Sequence, residues 1–230
     1  AKFLKRIGMK IFKTASADLN DSFLHEYLSS IKKTIIISTG MSGLDEIKLC
    51  LKKYNNKENI ILLHCVSCYP APLKILNLNN IQTLKNVFNL RIGFSDHSKG
   101  SRAATIAVAK GANVIEKHFT LNKNMRGPDH KTSLNFKEFK QYVKEIRNTE
   151  EILGSYKKEC LKEEKHMKYV STKSLAVAKN LKIGEKITLK KLKLLRPNKG
   201  ISSLYLKKIL GKKINKSKKL NDHLYLKDVK

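Results

Sequence analysis

Residues Gly93–Asp129 read GFSDHSKGSRAATIAVAKGANVIEKHFTLNKNMRGPD. Two short segments, each closing on a histidine (His97 and His118), flank a run of small and apolar residues: Ala103, Ala104, Ile106, Ala107, Val108 and Ala109. The spacing predicts strand, helix, strand, with polar groups gathered at the strand ends. In parallel α/β proteins those ends are where ligands bind. The same grammar recurs on either side. Strands are predicted at Ile11–Ser16, Thr34–Ser38, Ile60–Cys65, Leu90–Asp96 and Val114–Phe119. They are short and nearly continuously apolar, as parallel strands covered on both faces should be. Helical patterns fall between them at Phe23–Ile31, Glu46–Tyr54 (with Ser42 or Asp45 as its cap), Ile81–Val87 and Ser101–Lys110. A further helix follows Phe136, with apolar residues at Phe139, Tyr142, Val143 and Ile146 and a stop at Gly154.

Five βα units predict an α/β architecture with a parallel sheet. An open doubly wound sheet and a (β/α)8 barrel compete for the topology. No GxGxxG or Walker motif supports a nucleotide-binding version of the first. The second needs eight units. The chain opens with Phe3–Gly8, which reads as the end of a helix with no strand before it. The expectation is therefore a partial (β/α)8 barrel, the last five βα units, over residues 1–147. A charged linker is expected at 148–167. From there the grammar changes to short alternating segments (SLAVAK, KITLKKLKLL, LYLKDV), which predict a small, mostly β domain over 168–230. A domain of that size is near the lower limit for independent stability.

Composition narrows the function classes. Hydrophobic residues make up 41% of the 230, enough for a core and too many for global disorder. No apolar run approaches the roughly 18–20 residues that span a bilayer, and the opening AKFLKRIGMKIFK has no secretory pattern. No membrane partner is expected, and the cytoplasm is the default location. The net charge of +29 comes from lysine spread along the whole chain, with arginine scarce and tryptophan absent. Nucleic-acid readers gather basic residues on one face and favour arginine for bidentate phosphate contacts. The charge reads as solvated surface, with no specific nucleic-acid partner. Cys65 and Cys68 form a CxxC, but no second pair completes a zinc ribbon. Tyr69-Pro70 discourages the helix that a redox pair would open. The pair is read as structural.

Polar residues stand at the end of every predicted strand: Lys13 and Ser16, Ser38 and Thr39, Ser67 and Tyr69, Ser95 to His97, Glu116 and His118. A lysine among hydroxyls suits a phosphate or carboxylate. Two histidines with Glu116 suit a divalent cation left partly open to water and substrate. Glu116 and His118 are two apart and share one side of a strand, while Lys117 faces the other way. His25, His64, His166 and His223 lack such company and read as structural or surface groups.

The motifs HCVSCYPAP (64–72), IGFSDHSKG (92–100), GANVIEKHFTLN (111–122) and GPDHKTSL (127–134) resemble the sialic acid synthase family. FKTASADLN (12–20) and IIISTGMSGLDEI (35–47) match its preceding two strands, and the C-terminal part resembles its antifreeze-like (SAF) domain. The resemblance implies a condensation of phosphoenolpyruvate with an N-acyl hexosamine such as N-acetylmannosamine. Water is consumed, and a nine-carbon acidic sugar and phosphate are released. Synthases of pseudaminic or legionaminic acid share these motifs and differ in the sugar accepted. A reading of another class is an inactive fragment that serves as a binding or assembly module. The resemblance further implies Mn2+ or Mg2+ held by His97 and His118, with Glu116 beside the metal. It implies phosphoenolpyruvate contacts at Lys13, Ser16, Ser38, Ser95 and Ser67, the last where some members have Asn. Sugar contacts are implied at Tyr69, Asp129 and Asp18, the last where others have Glu, and Glu116 and Asp18 are the implied catalytic residues. A homodimer is implied, with the SAF domain of one protomer over the partner barrel and Arg196 (in LLRPNKG) near the acyl group. Asn198 stands there in place of the usual glycine. The family's AEIG-like and VKFQ-like motifs do not occur in the sequence. The expectation is a truncated member that is weak or inactive alone.

Overall fold

Five strands carry the first part of the chain: β1 (Ile11–Thr14), β2 (Thr34–Ser38), β3 (Ile60–Cys65), β4 (Arg91–Asp96) and β5 (Ile115–Lys117). The computed structural model describes residues 1–230. It places all five strands in one parallel sheet in the order β1-β2-β3-β4-β5. A doubly wound sheet must reverse strand order at a switch point, and this one never does. Sequential parallel pairing is barrel topology. Curvature supports the same conclusion. Lys13 on β1 and Glu116 on β5 form an ion pair at 3.0 Å. In a flat sheet four interstrand steps would hold those strands about 19 Å apart, farther than the two side chains and their contact reach. The sheet therefore curls into an arc of a (β/α)8 barrel, with Lys13 and Glu116 on its concave side.

Helices α2 (Ser22–Ser30), α3 (Leu44–Leu51), α4 (Asn80–Phe88) and α5 (Arg102–Ala109) alternate with the strands, and a short α1 (Lys2–Arg6) precedes them. The core lies between the layers. Phe12, Ile35, Ile37, Leu62, Ile92 and Phe94 of the strands pack with Leu28, Ile47, Leu51, Ile81, Leu84 and Ala107 of the helices. Each large aliphatic side chain buried this way contributes roughly 1.5–3 kcal/mol. All six residues of β3 are buried, which explains its uninterrupted apolar pattern. The long α6 (Phe136–Leu153) starts at a reciprocal cap. Asn135 accepts from the Glu138 N–H at 3.0 Å, and Glu138 accepts from the Asn135 N–H at 2.9 Å.

Several element boundaries differ from the pattern-based expectation. β1 stops at Thr14, because residues Ser16–Asp18 wind into a 3-10 turn whose Asp18 carboxylate accepts the Ala15 N–H at 3.0 Å. β5 is only three residues long, and Phe119 contributes a single bridge to Leu134. Neither Ser42 nor Asp45 caps α3. The helix starts after Gly43, where Glu46 reaches back to accept the Gly43 N–H at 2.8 Å.

The chain divides into two compact units, Ala1–Gly154 and Ser155–Lys230. The predicted 148–167 linker includes the last turns of α6 and the start of another helix, α7 (Lys165–Ser171). The second unit has its own core of Leu175, Val177, Leu181, Ile187, Ile201, Ile209, Ile214 and Leu224. Its regular β structure is one antiparallel pair, β6 (Ser174–Val177) with β7 (Leu192–Leu195), supplemented by single bridges. A buried ion pair, Lys218–Asp228 at 2.5 Å, lies within it.

Candidate active site

The sheet register sets out the site row by row. Cys65 on β3, Ser95 on β4 and Glu116 on β5 are lateral neighbours, and Lys13 and Ser38 share their face by the alternation of side chains. One step further along the chain lie Asp96 and Lys117, register partners on the opposite face. The next step returns to the first face with His97 and His118, just past the strand ends.

On that face the structure brings most of the predicted residues together. Glu116 Oε1 accepts from Lys13 Nζ, with both side chains about a third exposed. Burial pushes the Glu116 carboxyl up, but the Ser95 hydroxyl and the Lys13 ammonium outweigh it, and the net shift is downward. Glu116 is therefore an anion paired to the Lys13 ammonium, and its charge also favours the protonated forms of His97 and His118. Its Oε2 and the hydroxyl of Ser38 are buried with no hydrogen-bond partner in the chain. Buried polar atoms of this kind are groups that a water, an ion or a ligand can satisfy. Thr14 Oγ1 is also unpaired, but it belongs to the helix-facing side.

The histidines form a second cluster. The rings of His97 and His118 lie 5.1 Å apart and nearly perpendicular, with Tyr69 4.2 Å from His97 and 5.8 Å from His118. The carboxylate of Asp129 is 4.0 Å from His118 Nδ1. His97 Nδ1 lies 2.9 Å from the carbonyl of Val66 and 3.8 Å from Cys65 Sγ. A carbonyl only accepts, so Nδ1 carries the proton and Nε2 is left with its lone pair. That arrangement is the usual orientation of a metal-binding histidine. Burial pushes the His97 imidazole down, but Cys65 and the Val66 carbonyl prevail and the net shift is up. Burial and the neighbouring His97 push His118 down. His97 and His118 are the two side chains here that could hold a divalent cation. No group of three His, Cys, Asp or Glu side chains converges as a self-sufficient metal cage.

Loops behind the hydroxyl cluster are tightly packed. Gly40 donates its N–H to Ser16 Oγ at 2.9 Å. A Cβ on Gly40 would stand 2.5 Å from Ser67 Oγ, 2.8 Å from Ser16 Oγ and 3.1 Å from Cys65 Sγ. Ser16 and Ser67 therefore meet around Gly40. Asp18 is committed locally, through its carboxylate to Ala15 and through its carbonyl to His25 Nε2 at 3.0 Å. Arg196 lies in the second unit just past β7 and is exposed.

Two residues at the site have no separate signal in the sequence pattern. Cys65 reads as half of a structural CxxC, yet it is buried against His97. Burial pushes its thiol up, but the His97 imidazole and the Ser16 hydroxyl bring it below the ordinary value. Its place on the Lys13 face follows from strand alternation, which could have revealed it. Gly40 is legible only from the loops around it. The other histidines behave as expected. His25 is buried against the Tyr54 hydroxyl at 2.7 Å, His64 against the Leu76 carbonyl at 2.7 Å, and His223 meets Ser174 at 2.8 Å.

Residues 1–158 match the NeuB family, and residues 172–230 match the SAF domain. The chain belongs to the NeuB family. It is 42% identical over 228 residues to an uncharacterised protein of Methanocaldococcus jannaschii, covering 98% of this chain and 68% of that one. It is 41% identical over 220 residues to an N,N'-diacetyllegionaminic acid synthase of Campylobacter jejuni, covering 94% and 66%. It is 38% identical over 226 residues to a pseudaminic acid synthase of the same organism, covering 97% and 65%. Among solved structures it is similar to an N-acetylneuraminic acid synthetase of Leptospira borgpetersenii. The TM-score is 0.68 at 38% identity, over 72% of this chain and 59% of that chain. The chain thus spans about two thirds of the length of these curated relatives. The relatives with named activities are synthases of legionaminic, pseudaminic and N-acetylneuraminic acid, and no helix is long and apolar enough to cross a membrane.

Proposed function

We propose that this NeuB-family chain contributes to the condensation of phosphoenolpyruvate with an N-acyl hexosamine and water, giving a nine-carbon acidic sugar and phosphate. The observation that carries the reading is the pairing of two clusters on one face of the barrel arc. One is a lysine among hydroxyls and a carboxylate; the other is two histidines beside a tyrosine and a second carboxylate. Lys13 supplies the positive charge that a phosphate or carboxylate of phosphoenolpyruvate requires. Ser38, Ser95, Ser16 and Ser67 supply hydroxyls that orient it. Glu116 holds Lys13 in place and is an anion near the reacting centre, suited to accept a proton. Tyr69, Asp129 and Asp18 are the proposed sugar contacts.

His97 and His118 would hold Mn2+ or Mg2+, whose chemistry when bound is to polarise the aldehyde of the open-chain sugar. The chain's own residues do the rest, fixing the two substrates at one strand end so that the carbon–carbon bond forms between oriented partners. The reading includes a homodimer, to which Arg196 contributes near the acyl group. The named relatives support both legionaminic and pseudaminic acceptors as firmly as N-acetylmannosamine.

Phosphate release is the test. The protein is mixed with phosphoenolpyruvate, Mn2+ and, in turn, N-acetylmannosamine and the N-acylated hexoses that lead to legionaminic and pseudaminic acids. One acceptor should give acceptor-dependent phosphate release, and His97→Ala should abolish it. Release that persists in His97→Ala would overturn the metal assignment. No release with any acceptor, for this chain and for a longer version that spans the whole length of its relatives, would overturn the activity.

A further inference from the structure

Asp96 and Lys117 lie directly behind the two histidines. They are register partners on neighbouring strands, they face away from the site, and each immediately precedes one of the histidines in sequence. Their side chains are almost wholly buried and form an ion pair, Lys117 Nζ to Asp96 Oδ2, at 3.2 Å. Lys117 also donates to the carbonyl of Ser98. The Asp96 carboxylate is fully engaged. Oδ1 accepts from the Ser98 N–H at 2.8 Å and from the Ser98 hydroxyl at 2.7 Å, and Oδ2 also accepts from the Tyr142 hydroxyl at 2.8 Å. Tyr142 comes from α6, and its ring lies 5.5 Å from the Lys117 ammonium.

A buried ion pair is a weak source of net stability, because desolvation offsets the attraction. The strand register is already fixed by the apolar pattern of β4 packed against the helices. The network does achieve something a hydrophobic pair would not. His97 lies between Asp96 and Ser98, and both neighbours are tied to each other and to Lys117. His118 follows Lys117 without an intervening residue. A rotation or slip of either strand end would break several directional contacts at once.

We propose that Asp96, Lys117 and Tyr142 form a positioning clamp that sets the separation and orientation of His97 and His118 and couples both to helix α6. The inference rests on the reading of the two histidines as working residues. Tyr142 bonds to neither histidine; it acts through Asp96. Second-layer groups of this kind typically change the metal affinity of the residues they orient by 10–100-fold.

The test compares the parent protein with Tyr142→Phe, which removes one hydroxyl and keeps the ring, and with the double variant D96N/K117M, which removes the charges together. Three quantities are measured: Mn2+ affinity, Tm, and the ring-nitrogen NMR signals of His97, which report whether the proton stays on Nδ1. For Tyr142→Phe the expectation is about a tenfold loss of Mn2+ affinity, a mixed His97 tautomer and a Tm close to that of the parent. The double variant should lose at least as much affinity. Unchanged affinity and an unchanged His97 tautomer in both variants, whatever their Tm, would overturn the clamp. If the parent itself binds no Mn2+, the metal reading fails instead, and the His97 tautomer alone decides the clamp.

Discussion

Gly40 shows how little room the site leaves at the scale of single residues. Its hydrogen atom is the only substituent that fits between the hydroxyls of Ser16 and Ser67 and the thiol of Cys65. Its backbone conformation is not the left-handed one that favours glycine, so the constraint is steric. Gly40→Ala should therefore force the serine hydroxyls apart. The expected result is a loss of about 1–3 kcal/mol of stability, read by chemical denaturation, together with at least a tenfold rise in the KM for phosphoenolpyruvate. An alanine variant with parental KM would show that these serines do not touch that substrate. Glu116 offers a second residue-level check. Its carboxylate holds the Lys13 ammonium at 3.0 Å. Glu116→Gln keeps the shape and removes the charge, so kcat should fall more than KM rises if the carboxylate works in the reaction. Reading this residue from sequence gave the right strand and the right face. The Lys13 partner was not legible, because β1 and β5 meet only after the sheet has curled.

Among the elements, α6 has the clearest local logic. Its reciprocal Asn135–Glu138 cap satisfies backbone N–H groups at both Asn135 and Glu138, and its Tyr142 and Ile146 are buried against Ala104 and Leu134. Asn135→Ala should cost about 1 kcal/mol, or a fall in Tm of about 2–4 °C for a protein of this size. Helix α4 ends at Asn89, which sits in the left-handed region at φ 51° and ψ 41°. Asn89→Gly should be neutral or slightly stabilising and Asn89→Ala destabilising by about 1 kcal/mol, because a β-carbon without a hydrogen-bonding side chain is least at ease there. Equal Tm values for the two variants would contradict this. The existence and order of these elements were legible from apolar spacing. Their ends were less so: a Glu at the third helical position reached back to Gly43, and Asp18 turned the end of β1 into a 3-10 turn.

For the molecule as a whole, buried neutral histidines set the response to acid. Burial holds His25 and His64 below the ordinary histidine value. The folded state therefore binds fewer protons than the unfolded one near that value. The stability they contribute is complete above the unfolded pKa of about 6.5 and is lost as pH falls through it toward the depressed folded values. His97, shifted upward, offsets part of the effect. The Tm should drop between about pH 7.5 and about pH 5.5, and the drop should be smaller in His64→Gln than in the parent. A parental slope in that variant would remove His64 from the account. The net charge of +29 acts at the same scale. It should give weak, sequence-independent DNA binding that falls steeply with salt, and retained tight binding at about 150 mM salt would call for a dedicated nucleic-acid surface.

The succession of strands and helices along the chain and the faces of the strand-end residues were legible in the sequence alone, whereas the order of the strands in the sheet came from the structure. Apolar runs and period-two alternation act locally, and every residue carries its own part of the signal. Composition likewise fixed the lysine-rich surface. Only the tertiary structure decided that β1 and β5 face each other, so that Glu116 pairs with Lys13 and the histidines stand beside Tyr69 and Asp129. It also decided that a residue read as a structural cysteine lies against His97, and that Tyr142, 46 positions beyond Asp96, closes the carboxylate behind the site. The physical reason is the same in each case. These contacts join residues far apart in the chain, and their distances follow from the curl of the sheet and the packing of α6, which no local pattern encodes.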